Sequence, residues 1–269
     1  MTIIATTDFS DIAQNAVQYA AALANAIKAK LVLFNAFTPP IHAANAHLSA
    51  DTFQKLLDSN KERLNELAIE FKNKYQLEIE TESNYSFIEE HLTALIEKYQ
   101  ADIIIFGMAE KSIEQELMGN TTTSAIKNID IPIISVPLQA KFNGLAKMVF
   151  ACDTRDDIPE HAKTLVRSIT NPLNTEIEVF SVDTTVENIK KQPKEERNLT
   201  DETFTYFYKN VQSTEVLDAI RKEIKDVNAD ILVMMPKKYG FWGSMVHTSK
   251  TRIMASGLHI PLFSIPASL

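Results

Sequence analysis

Two glycines, an aspartate and a run of small hydroxyl residues are where this chain could do chemistry. It carries six glycines in 269 residues, where a usual share of ~7 % would give roughly three times as many. In the first 143 residues the glycines are Gly107 and Gly119. Gly107 closes the apolar run Ile103-Ile104-Ile105-Phe106, and Gly119 opens Asn120-Thr121-Thr122-Thr123. A scarce glycine marks a backbone position that a side chain cannot occupy. Both glycines sit where a buried strand hands over to a helix, the place where open α/β sheets bind ligands. Thr7 and Asp8 end the first apolar run, Ile3-Ile4-Ala5-Thr6. A carboxylate there can hold a ribose hydroxyl or a metal, or cap the next loop. The glycines fit equally well a strand-end turn and a helix entry with no ligand.

Elements must position these residues, and hydrophobic periodicity supplies them. Strands are predicted at Ile3–Thr6, Lys30–Phe37, Leu77–Ser83, the run from Ile103, and Ile131–Pro137. Ser10 is a plausible N-cap for a helix carrying Ile12, Ala13, Ala16, Val17, Ala20 and Leu23 at helical spacing. Further helices are predicted from Ser49 or Asp51 to about Lys74, from about Phe87 to Tyr99, and from about Thr122 to Asn128. The alternation Leu-Glu-Ile-Glu-Thr-Glu-Ser at 77–83 reads as an edge strand with one wet face.

The pattern is then written a second time. Leu145–Ala151 ends at Asp153 as the first strand ends at Asp8. A helix from about Pro159 to Ile169 and a strand at Glu176–Val182 follow. After a charged, poorly patterned stretch (Lys190–Thr200) comes an aromatic strand, Phe204–Tyr208, expected at an edge. A helix from about Thr214 to Val227 leads to Ala229-Asp230-Ile231-Leu232-Val233-Met234, which matches Ala101–Phe106. The ending Ile260-Pro261-Leu262-Phe263-Ser264-Ile265-Pro266 matches Ile131–Pro137. Buried strands alternating with helices imply parallel, doubly wound sheets. The expectation is an α/β fold of two tandem domains, 1–140 and 145–269, each a mostly parallel five-stranded sheet. Proline at both flanks favours an edge position for the two final strands. They are expected to pair with each other, making an internal pseudo-dimer and leaving a further homodimer open.

A formal charge of −8 and a pI near 5.3 provide no basic patch for nucleic acid or an anionic membrane. No run reaches the ~18 apolar residues of a membrane span, and the N-terminus has no signal-peptide pattern. The single cysteine, Cys152, suits a reducing cytoplasm and reads as an inert buried thiol. The histidines sit without ligand spacing, so no metal is expected. No P-loop, Gly-x-Gly-x-x-Gly or Gly-x-Ser-x-Gly motif occurs.

With both halves laid out, the chain resembles a tandem universal stress protein. The match rests on Thr6-Thr7-Asp8-Phe9-Ser10, on Ala16, Tyr19 and Ala20, and on Lys30–Ala36, 101–107 and Ile131–Pro137. The resemblance implies a Rossmann-like (nucleotide-binding α-hydrolase-like) fold and a non-catalytic, cytoplasmic regulatory role in stress response. It also implies AMP, ADP or ATP bound through a loop of the form Gly-x2-Gly-x9-Gly-(Ser/Thr). Carried onto this chain, Thr7, Asp8 and the backbone of Ala36 face the nucleoside. Gly107, Gly119, Asn120, Thr121 and Thr122 face the phosphates.

The first half departs from that pattern. Glu110 replaces the middle glycine, eight residues rather than nine precede Gly119, and Asn120 replaces the hydroxyl residue. Two unit charges ~4 Å apart at an effective dielectric of ~20 repel by about 4 kcal/mol. Binding in the first half is therefore expected to be weak or absent, with AMP or ADP easier to hold than ATP. In the second half Met235 stands for Gly107, Pro236-Lys237-Lys238 follow, and Thr248-Ser249 replace Gly119-Asn120. No cradle is left there. The alternative is a nucleotide-independent module that binds another protein, with both sites vestigial. An ATPase is disfavoured, because no base, Walker lysine or finger arginine is placed to act.

Overall fold

The fold is seen in a computed structural model that describes residues 1–37, 49–85, 88–108, 129–152, 158–183, 195–200, 205–212, 216–235 and 258–267. The first half runs β1 (Thr2–Thr6), α1 (Asp11–Ile27), β2 (Lys30–Phe37), α2 (Ala50–Tyr75), β3 (Ile79–Tyr85), α3 (Ile88–Tyr99), β4 (Ile103–Met108) and β5 (Ile133–Pro137). The second runs β6 (Lys147–Cys152), α4 (Glu160–Thr170), β7 (Glu176–Asp183), β8 (Glu195–Thr200), β9 (Thr205–Gln212), α5 (Val216–Asp226), β10 (Ile231–Met234) and β11 (Leu262–Ser264). Local chemistry sets the helix ends. Ser10 Oγ accepts from Ala13 N at 3.3 Å and Ser49 Oγ from Thr52 N at 3.2 Å, each satisfying an amide that the helix leaves unpaired. Lys28 and Gln76 stop α1 and α2 in the left-handed region, at φ 58° and 53°.

Among the described residues, eleven strands form one sheet, in the order β3-β2-β1-β4-β5-β11-β10-β6-β7-β9-β8. Five strands were expected in each half, with the two final strands paired. The halves are joined across β5 and β11, but the second half contributes six strands. The sixth is β8, antiparallel to β9, in the stretch that had no readable pattern. An outermost strand needs only one apolar neighbour, so the charged Glu195-Glu196-Arg197 leaves no alternation to read. Its presence moves the aromatic strand β9 one place in from the edge where it was expected. The wet-faced strand β3 does lie at the opposite edge.

The final strands pair with each other, antiparallel and at the centre of the sheet. Ser135 lies opposite Leu262, Ile134 opposite Phe263 and Ile133 opposite Ser264. On the face of Ile3, Ala5, Leu33, Ile105, Phe150 and Phe263, one continuous apolar cluster lies under α1, α2 and α4. On the other face α3 packs against Ile4, Val32, Phe34 and Ile104. There α5 covers Val149, Phe180 and Leu232. Cys152 is buried, as its apolar setting predicts. None of the described helices is long and apolar enough to cross a membrane.

Backbone devices recur in both halves. Ala29 N donates to Ala24 O at 2.9 Å, and Thr175 N to Thr170 O at 3.1 Å. Asp102 N donates to Thr2 O and Asp230 N to Lys147 O, both at 2.9 Å. The carboxylates reciprocate: Asp102 accepts from Thr2 N at 2.7 Å, and Asp230 from Ala146 N and Lys147 N at 2.7 and 2.9 Å. Asn15 Nδ2 donates to Pro137 O at 2.9 Å, and His161 Nε2 meets Pro266 O at 3.2 Å. Each half thus ties its first helix to a proline at or just beyond the end of its last strand.

Candidate functional site

In the order β3-β2-β1-β4-β5 the chain reverses its direction of travel between β1 and β4. Such a reversal marks the carboxyl ends of the two strands as the place where open α/β sheets take ligands in a crevice. β1 lies parallel to both neighbours, with Ile3 between Leu31 and Ile103. Beyond the regular ladder, side chains finish the edge of the crevice. Thr7 N donates to Phe34 O at 2.8 Å, and Asn35 Nδ2 donates to Thr7 O at 2.6 Å. Asn60 of α2 donates in turn to Asn35 Oδ1. Thr6, Thr7 and Asn35 are buried, so this amide relay holds the ends of β1 and β2 in register. Sequence reasoning assigned Asn35 no role. Its signal was a lone amide inside the apolar run of β2.

Asp8 is exposed at the mouth of the crevice. Its Oδ1 accepts from Ser10 N at 2.9 Å, so in this state it caps the loop into α1. Phe9 between them adopts φ 64°, a left-handed conformation that costs an L-residue roughly 1–2 kcal/mol. Several contacts offset that cost. Phe9 N donates to Thr7 Oγ1 at 2.9 Å, and Gln14 Nε2 donates to Phe9 O at 3.1 Å. The Arg63 guanidinium lies 4.3 Å over the Phe9 ring, a cation–π contact.

Gly107 lies inside β4 rather than in a turn after it. A Cβ at this position would sit 2.8 Å from both the carbonyl oxygen and the Cγ2 of Ile12. The expectation that no side chain fits there holds, and the obstacle is the first turn of α1. Met108, the next residue, joins an apolar cluster with Leu258 and Leu262 of the second half. Ala36 is half-buried on β2, against the cluster under α3. Thr7, Asp8, Ala36 and Gly107 therefore share the carboxyl end of three neighbouring strands. Gly119, Asn120, Thr121 and Thr122 lie outside the described residues, as do Asp153, Lys237, Lys238, Thr248 and Ser249.

The matching crevice of the second half lies between β6 and β10, which pair from Met148–Ile231 to Ala151–Met234. Met235 follows directly and is 5 % exposed, part of the main core cluster. A buried thioether stands where the first half has a glycine. Ser181 takes the place of Asn35 and is also buried.

A sequence model of the universal stress protein family matches residues 1–137. No match is found among curated proteins. Among solved structures, the chain is similar to a universal stress protein from Archaeoglobus fulgidus DSM 4304, with a TM-score of 0.72 at 13 % identity, covering 99 % of this chain and 98 % of that one. It is also similar to a functionally unknown protein from Pseudomonas aeruginosa PAO1, with a TM-score of 0.62 at 12 % identity, covering 98 % and 92 %. At such identities the likeness speaks for the fold.

Proposed function

The chain belongs to the universal stress protein family, and on that footing we propose a non-catalytic, cytoplasmic regulatory protein whose first domain alone binds an adenine nucleotide, weakly. The domains are residues 1–140 and 145–269, related as an internal pseudo-dimer. The register of the central pair supports that relation. With Ile133-Ile134-Ser135 aligned on Leu262-Phe263-Ser264, Ile134 faces its own counterpart Phe263, and the Ile133–Ser264 pair is mirrored by the Leu262–Ser135 pair, the signature of a two-fold contact.

The observation that carries the nucleotide assignment is the contrast at the two switch points. The first has a glycine at 107, packed directly against the first turn of α1 beside a braced β1–β2 end, and the second carries the buried side chain of Met235. Asp8 and the Ala36 backbone serve the nucleoside, and Gly107, Gly119, Asn120, Thr121 and Thr122 serve the phosphates. Glu110 limits affinity for the longer phosphate chains, so AMP or ADP is favoured over ATP. Calorimetry with the three nucleotides tests this. Saturable heat that disappears in Gly119→Val supports the assignment.

A second reading is favoured by the loop at Asp8. Its polar groups are satisfied within the protein, by Ser10, Thr7 and Gln14, so no ligand is needed to complete it. Under that reading both crevices are vestigial and the surface engages another protein. Absence of heat at millimolar nucleotide selects it.

A further inference from the structure

Among the described residues, the buried charged side chains are Glu178 and Glu223, 2 % and 4 % exposed. Glu178 leaves β7 on the face that Phe180 and Val182 share with α5. Glu223 lies on α5 beside the buried Ile220 and Ile224. Lys209 of β9 reaches in, its Nζ 2.5 Å from Glu223 Oε1. Glu178 Oε1 has no hydrogen-bond partner. Lys147 of β6 is engaged by Glu176 at 3.4 Å, and Glu196 of β8 stands opposite Lys209 in register. On α5, Asp218, Lys222, Lys225 and Asp226 are exposed, and Arg221 meets Asp218 at 3.3 Å.

Two buried carboxylates beside one ammonium cannot both ionise without leaving a net charge out of water. A single proton resolves the conflict. As a carboxylic acid, Glu178 can donate to the Glu223 carboxylate beside it, which also accepts from Lys209. We propose that Glu178, Glu223 and Lys209 form a proton-operated latch that holds α5 and β9 against β7. With the proton aboard, the latch is closed. When it leaves, the facing carboxylates repel and this side of the second half loosens. The inference needs nothing from nucleotide binding, since it concerns a different cluster in the other half.

Burial first, then the hydrogen bond and charge of Glu223, push the Glu178 carboxyl from 4.5 up to about 7. A folded state that binds the proton more tightly than the unfolded chain is stabilised by it. That stabilisation is fully present below about pH 4.5, falls as pH rises, and is gone above about 7.

The test combines infrared spectroscopy and thermal unfolding of the full chain. At pH 6 ordinary carboxyls are ionised, so the wild-type protein should show a carboxylic-acid carbonyl stretch that vanishes by pH 8.5. Glu178→Gln should abolish the band and keep the donor to Glu223. Its Tm should fall less than that of wild type between pH 5 and 8, by several degrees, and should exceed wild type at pH 8. Lys209→Met removes the cation that favours ionisation, so the band should persist to higher pH. A wild-type spectrum without the band at pH 6 overturns the latch, whether or not any variant folds. So does a band unchanged in Glu178→Gln.

Discussion

The two halves share a backbone frame and differ at the crevice where that frame would hold a ligand. Asp102 and Asp230 fasten the same strand starts, and Asn15 and His161 reach the same prolines. At the switch points, by contrast, Gly107 meets the backbone of α1 and Met235 fills its space with its own side chain. The comparison separates two pressures on a fold. Backbone groups at strand ends gain from a partner in any copy, a net of about 0.5–1.5 kcal/mol per bond. Side chains at the crevice face only the demands of packing and of a ligand. Once the ligand is gone, packing decides.

Met235→Ala is the largest way to break the contrast. It removes a buried thioether from the main core and should cost about 2–5 kcal/mol in chemical denaturation. If the loss is negligible, Met235 does not fill the second crevice. Gly107→Ala comes next, at about 1–3 kcal/mol, because overpacking against the Ile12 carbonyl cannot be relieved by a rotamer change. A variant as stable as wild type would show that α1 stands further from β4 than described.

Smaller effects sharpen the shared frame. Asp230 accepts two strand amides and Asp102 one, so Asp230→Ala should cost more, by about 1 kcal/mol. Equal losses in the two variants would count against the described hydrogen bonds. Phe9→Gly should change stability least, within about 1 kcal/mol, as relief of the left-handed backbone balances the lost cation–π contact. A much larger loss would mean that the packing of the ring on the main core cluster outweighs the relief of the backbone.

Much of this frame was legible in the sequence. Apolar runs at Ile3, Leu31, Ile103 and Ile133 announced buried strands, and the repeated Ile-Pro endings announced that the last strands would meet. What escaped depends on contacts distant in sequence. The charged β8 becomes a strand only because β9 offers it an edge. The demand for glycine at 107 comes from Ile12, far upstream. Glu176 and Glu178 alternate with Ile177 and Val179 as a solvated face would, yet α5 covers Glu178. The brace at Asn35 needed Thr7 and Asn60 in place before it had a meaning. Of the candidate site, Asp8 and Gly107 were legible as the ends of apolar runs, whereas Thr7 and Ala36 came in only through the family resemblance.

The claim that one crevice kept a ligand and the other lost it is tested most directly by photolabelling with a light-activated AMP analogue, followed by peptide mapping. The account predicts saturable label confined to peptides from residues 1–140, displaced by excess AMP and lost in Gly119→Val. Displaceable label on peptides around Met235 would contradict it.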